Sequence, residues 1–246
     1  MPTSLSRKSP RPVITTIALT PMPVWQTALF FGIPTILIAL GFLVILPALQ
    51  QSGLERVYAY TIVEFVFVGG LIPAALIAMA LEGRPLNGPT IRARFRLKPL
   101  NGQSWNWMTF GILVFVGAYY AGLWLMSTLI KTYNLHFPDT TFPLDSSSAI
   151  NRALWIVNII VGFAAEEIWW RGYVLPRQEL VHGTRTWLLH GLLWALVHVG
   201  YSGWYTIGLI IPCCALAFIA QGLKNTTPTI AMQVFLNSLN LILGGI

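Results

Sequence analysis

Seven stretches of this 246-residue chain are apolar over lengths suited to a lipid bilayer, and nothing else in the sequence limits its fold as strongly. They cover residues 25–49, 59–81, 105–130, 150 to about 180, 186–199, 204–223 and 229–243. A crossing helix needs about 20 predominantly apolar residues. The chain is 55% hydrophobic and 9% charged, with a mean hydropathy of +0.67, which is the composition of a polytopic membrane protein rather than a soluble domain. The expected fold is therefore an all-α membrane helix bundle of about seven transmembrane helices, or eight if residues 85–100 also enter the bilayer. Arg92, Arg94, Arg96 and Lys98 argue against that eighth span. They suggest instead a basic linker lying on anionic headgroups. The fourth run is longer than a crossing requires and carries Gly172 and Pro176, a place for a bend. The fifth is short. Two awkward lengths side by side suggest irregular helices lining water.

Charge gives the orientation. With seven spans and the N-terminus inside, only Arg56, Lys131 and Arg152 of the 15 Lys and Arg residues fall outside. That is a strong positive-inside bias. It also accounts for the formal charge of +7 without a nucleic-acid partner. Residues 1–24 read as a cytoplasmic tail, 25–149 as N-terminal transmembrane helices with the basic linker, and 150–246 as the helices that carry the chemistry. The compact, tail-poor chain suggests the plasma membrane. Cys213 and Cys214 are adjacent and cannot form an ordinary structural disulfide with each other.

The eight acidic residues are scarce, and two of them, Glu166 and Glu167, stand together inside an apolar run. A carboxylate at the centre of a membrane helix costs roughly 2.5–3.5 kcal/mol even on insertion scales, so such a residue marks a functional site by default. Glu167 and Arg171 are four apart and share a helix face, where they can pair. Glu166 is turned about 100° away and keeps no such partner. Two further i, i+4 pairs of polar or aromatic residues sit in later spans: Trp194 with His198, and Gln233 with Asn237. Facing lipid is expensive for all of these polar groups, so they are expected to face one another. If the chain turns near His182–Gly183, Glu166 and His198 both lie roughly 22–24 Å from the turn and are level.

A glutamate and a histidine meeting in a watery cavity can act as general base and acid. The amides of Gln233 and Asn237 can donate to a developing oxyanion. These are the parts of an amide-hydrolysing site. The run Glu166-Glu167-Ile168-Trp169-Trp170-Arg171, the Trp194-to-His198 element and Asn237 resemble the motifs of the CAAX protease and bacteriocin-processing family, CPBP or Abi, which includes the type II CAAX prenyl endopeptidases. The resemblance covers residues 151–246. Gln233 stands where the family's third motif begins with histidine. The resemblance implies an intramembrane endopeptidase acting on a membrane-associated protein or peptide, in which Glu166 activates water, His198 assists and Asn237 stabilises the oxyanion. Glu167, Arg171, Gln233 and Trp194 would support them. A metal-free, glutamate-based reaction is favoured because Gln233 is a poor zinc ligand; zinc is the alternative.

Other functions compete. Gln233 motivates a catalytically weak family member acting as an immunity or scaffold protein. Glu166 and His198 could also form the proton relay of a transporter, a reading that inverted repeats would favour and that this sequence does not display. Glu64 lies in the second run and reads as a polar packing contact.

Overall fold

In the computed structural model, which describes residues 18–133, 148–199 and 206–242, the described residues are helical and contain no strand. The start of the N-terminal tail, the connector at 134–147, Trp204 and the last residues, 243–246, lie outside the described residues.

The first path is α1 (Val24–Leu40), a π-helical segment (Gly41–Ile45) and α2 (Leu46–Gln51). The second is α3 (Arg56–Val63), a π-segment (Glu64–Val68) and α4 (Leu71–Leu81). A short α5 (Gly88–Arg94) leads into the long α6 (Gly102–Tyr133). Then come α7 (Ala149–Glu167), a third π-segment (Ile168–Val174), α8 (Leu175–His182), a 3-10 turn (Gly183–Arg185) and α9 (Thr186–Val197). The chain closes with α10 (Thr206–Leu223) and α11 (Thr227–Ile242).

Five helical paths are long and apolar enough to cross a membrane: Val24–Gln51, Arg56–Leu81, Gly102–Tyr133, Ala149–Val197 and Thr206–Leu223. The seven apolar runs of the sequence map onto these paths and the last helix. The fourth and fifth runs join in the path Ala149–Val197, which folds back on itself at the 3-10 turn. The last run carries α11, of which 16 residues are described.

The fold-back falls at the expected place. Gly183 adopts φ 61°, a conformation that glycine takes without a Cβ penalty. Beyond it α9 returns along α8 and the π-segment: His190 Nδ1 lies 2.6 Å from Gln178 Oε1, and Arg171 packs on Trp194. Close approach on the other side of α9 requires glycine too. A Cβ at Gly191 would fall 2.4 Å from the Cα of Cys214 on α10, and one at Gly122 of α6 would fall 2.5 Å from the Cα of Gly208.

Local chemistry explains how α1 meets the π-segment of the fourth path. Pro34 has no N–H, so the carbonyl of Phe30, four residues earlier, loses its helical donor. Trp169 Nε1 donates to that carbonyl at 3.2 Å. Phe30 stacks on Trp169, and Phe31 on Trp170 with ring centroids 4.4 Å apart.

The basic linker docks onto protein instead of lying wholly on headgroups. Arg94 is 4% exposed and grips Glu82 with two hydrogen bonds of 2.8 Å. It also donates to the carbonyl of Gly172 at 3.2 Å. Arg96 pairs with Glu179 at 2.7 Å, and Phe95 presses on Gly172. The linker's charges are thus spent on the backbone and carboxylates of α8 and its neighbours, which hydrocarbon-flanked polar groups need more than lipid headgroups do. Arg177 donates to the carbonyl of Thr20, and Gln221 to that of Gly183. The start of α1, the linker, the fold-back and the α10–α11 turn all gather at this one basic end.

Candidate active site within the bundle

A cavity of about 390 Å³ opens between the first two paths, α6, α7, α9, α10 and α11. Glu166, Trp194, His198, Gln233 and Asn237 all line it, so the three sequence elements converge on one space. Glu167 and Arg171 lie outside the lining.

The two adjacent glutamates diverge as helix geometry dictates. Glu166 is 5% exposed, and its Oε2 has no hydrogen-bond partner. Glu167 is completely buried. Its Oε1 lies 2.9 Å from Arg171 Nη1 and accepts from Gln233 Nε2 at 2.7 Å. The contact with Arg171 is a close ion pair without the alignment of a hydrogen bond, since that nitrogen makes none. The guanidinium gains a second support from the ring of Trp194, whose centroid is 3.5 Å from Cζ. Gln233 therefore does something the sequence did not reveal: it ties α11 to α7 through Glu167. One of its two amide hydrogens is engaged there.

His198 ends α9. Its Nδ1 is 2.8 Å from the carbonyl of Trp194. A carbonyl only accepts, so Nδ1 carries the hydrogen in the neutral ring and Nε2 holds the lone pair. Asn237 Nδ2 donates to the carbonyl of Gln233 at 2.9 Å, one turn back on its own helix. That bond uses one of its two amide hydrogens.

Sequence reasoning missed a second carboxylate. Glu64 lines the same cavity and shares a hydrogen bond with Tyr60, which lines it as well. Its Oε1 occupies the place a side chain at residue 162 would take: a Cβ built on Gly162 would lie only 1.8 Å away. Gly162 is one turn before Glu166 on α7. A signal was present in the sequence, an acidic residue in one span and a glycine on the Glu166 face of another, but nothing in either span alone joins them. Cys213 also reaches the cavity. His190 does not: it is buried against Gln178 and the edge of Phe31.

The donor set does not fit a catalytic zinc ion, which needs about three protein ligands. Among the described residues no three His, Cys, Asp or Glu side chains come close enough together to share a metal. At residue 233 an amide already bound to Glu167 takes the place of an imidazole.

These features define a class: a membrane helix bundle enclosing a cavity lined by two glutamates and a histidine. Residues 148–239 match the family described as Rce1-like, type II CAAX prenyl endopeptidase Rce1-like. Over that stretch the chain is similar to the CAAX protease family, and its five long apolar helical paths fit an integral membrane protein. The family supports a CAAX-type intramembrane endopeptidase with a membrane-associated protein as substrate. No curated protein and no solved structure matches the chain.

Proposed function

We propose that this cavity hydrolyses a peptide bond in a membrane-associated protein or peptide, by a glutamate-based reaction that uses no metal. One observation carries the proposal: Glu166, one of whose carboxylate oxygens is buried without a hydrogen-bond partner, lines a cavity that His198 and Asn237 also line. A buried acceptor without a donor is costly, and a water or substrate group held there relieves that cost.

In this reading Glu166 takes a proton from a water molecule as its oxygen attacks the scissile carbonyl carbon. His198 accepts the water's other hydrogen at Nε2 and so aims it. The carbonyl oxygen becomes an oxyanion, to which Asn237 donates the amide hydrogen left over from its bond to Gln233. The C–N bond then breaks, and Glu166 returns its proton to the departing amine. Glu167, Arg171, Trp194 and Gln233 act behind this group. They fix the angle at which α7 offers Glu166 and α9 offers His198.

The test is cleavage of a membrane-tail peptide library in liposomes, with and without strong chelation. Glu166→Gln keeps the shape and removes the base. Its rate should fall at least about 100-fold, the scale of general-base removal, with the fold retained. The wild type should tolerate the chelator. Undiminished turnover by Glu166→Gln would end the proposal, and loss of wild-type activity under chelation with recovery in zinc would end its metal-free form.

A further inference from the structure

The cavity's charge is one-sided. Among its described lining residues the charged ones are Glu64 and Glu166, and no lysine or arginine joins them. The nearby cation, Arg171, is committed to Glu167 and to the ring of Trp194. The two carboxylates approach along one face of α7, where Glu64 fills the notch at Gly162 and Glu166 follows a turn later. Much of the remaining wall is aromatic, including Phe42, Tyr60, Phe115, Tyr119 and Phe163. Aromatic faces and carboxylates together attract a cation, and apolar walls accommodate a methylene stem. Glu166, in a side chain 5% exposed, also keeps one oxygen without a hydrogen-bond partner.

We infer that the end of the cavity lined by Glu64 and Tyr60, with Gly162 behind the Glu64 carboxylate, is a specificity site for a basic side chain, lysine or arginine, of the peptide substrate. The inference rests on the peptidase reading for the identity of the ligand, though the site itself is one of binding. The alkyl stem lies along the rings, and the ammonium or guanidinium group donates to the Glu64 carboxylate. Tyr60 holds that carboxylate in place, and Gly162 leaves room for it. Glu64 thus selects the substrate's register while Glu166 faces the bond to be cut.

The test uses the full chain in lipid nanodiscs and a neutral apolar peptide through which one lysine is scanned. Matched peptides carry norleucine or glutamate at each position. Binding is read by fluorescence anisotropy and cleavage by initial rates. At one register the lysine peptide should bind about tenfold or more tightly than norleucine, the scale of one desolvated charge contact. Glutamate at that register should bind worst. Glu64→Gln should erase the difference between lysine and norleucine. Gly162→Ala, which leaves the charge but denies the carboxylate its notch, should erase it as well. Equal binding of lysine and norleucine at every register, or a lysine preference that survives in Glu64→Gln, overturns the inference, as does failure of every peptide to bind. Lysine-selective binding with no cleavage leaves the specificity site standing and removes the peptidase reading instead.

Discussion

Arg171 shows how much can hang on one side chain. Its charge is completely buried, balanced by Glu167 and braced by the face of Trp194. Removing one partner of a buried pair costs on the order of 3–5 kcal/mol, because the other charge is left uncompensated. Arg171→Ala should therefore lower yield and melting temperature before any purely kinetic defect can be measured. Arg171→Ala combined with Glu167→Gln should recover part of the loss in thermal melts, and no recovery would mean that the two charges do not depend on each other. The pair itself was legible in the sequence, because i, i+4 spacing is a local rule. The third member was not. Gln233 reaches Glu167 from 66 residues away, and its task as a tie to α7 follows from how α11 packs, which no local pattern encodes. Glu64 escaped for the same reason: its meaning comes from a glycine in another span.

At the scale of elements, the linker containing α5 behaves as a strap across the fourth path. Arg94 joins Glu82, at the end of the second path, to the carbonyl of Gly172. A π-helix leaves its carbonyls with poorer internal partners, and this bond satisfies one of them. Partial burial by itself would raise the pKa of Glu82, but the hydrogen bonds and charge of Arg94, with help from Arg84, outweigh it and hold the carboxyl below its ordinary range. Its contribution to stability is thus fully present above the ordinary carboxylate value of 4.5 and is lost as pH falls through the lowered folded value. Melting temperatures of the wild type and Glu82→Gln should differ most near neutral pH and converge in acid. A gap that stays constant down to pH of about 3 would show that Glu82 is not held as its partners imply. The sequence pointed to a basic segment here but to a different neighbour. Four cations in a row suit lipid headgroups, and only the tertiary structure reveals that carboxylates and free carbonyls lie beneath two of them.

For the whole molecule, helical class and membrane location were legible because bilayer thickness imposes a length that hydropathy displays directly. The fold-back of the fourth path was legible too, because the polar stretch from Pro176 to Arg185 interrupts the apolar pattern and contains Gly183, where the chain turns. The gathering of basic residues at one end was legible as well, and it suggests the orientation. If that end faces the cytoplasm, Lys98→Cys should react with an impermeant thiol reagent only from the cytoplasmic side, and Ser52→Cys, at the far end of the first path, only from the other. The opposite pattern would invert the topology.

The π-segment Ile168–Val174 has one more consequence, for length changes in the chain. Bonding from i to i+5 holds about one residue more than an α-helix covering the same rise. A π-bulge is in effect an insertion absorbed locally, with the helix before and after it kept in phase. Shortening α7 between residues 150 and 165 by one residue rotates Glu166 about 100° out of the cavity, whereas deleting one residue from the π-segment can relax it to an α-helix. The second deletion should leave Glu166 and Arg177 facing as before and should disturb chiefly the spacing from Glu167 to Arg171. Among natural or engineered variants, single-residue losses should therefore cluster in the π-segment and be absent from the helix on its N-terminal side.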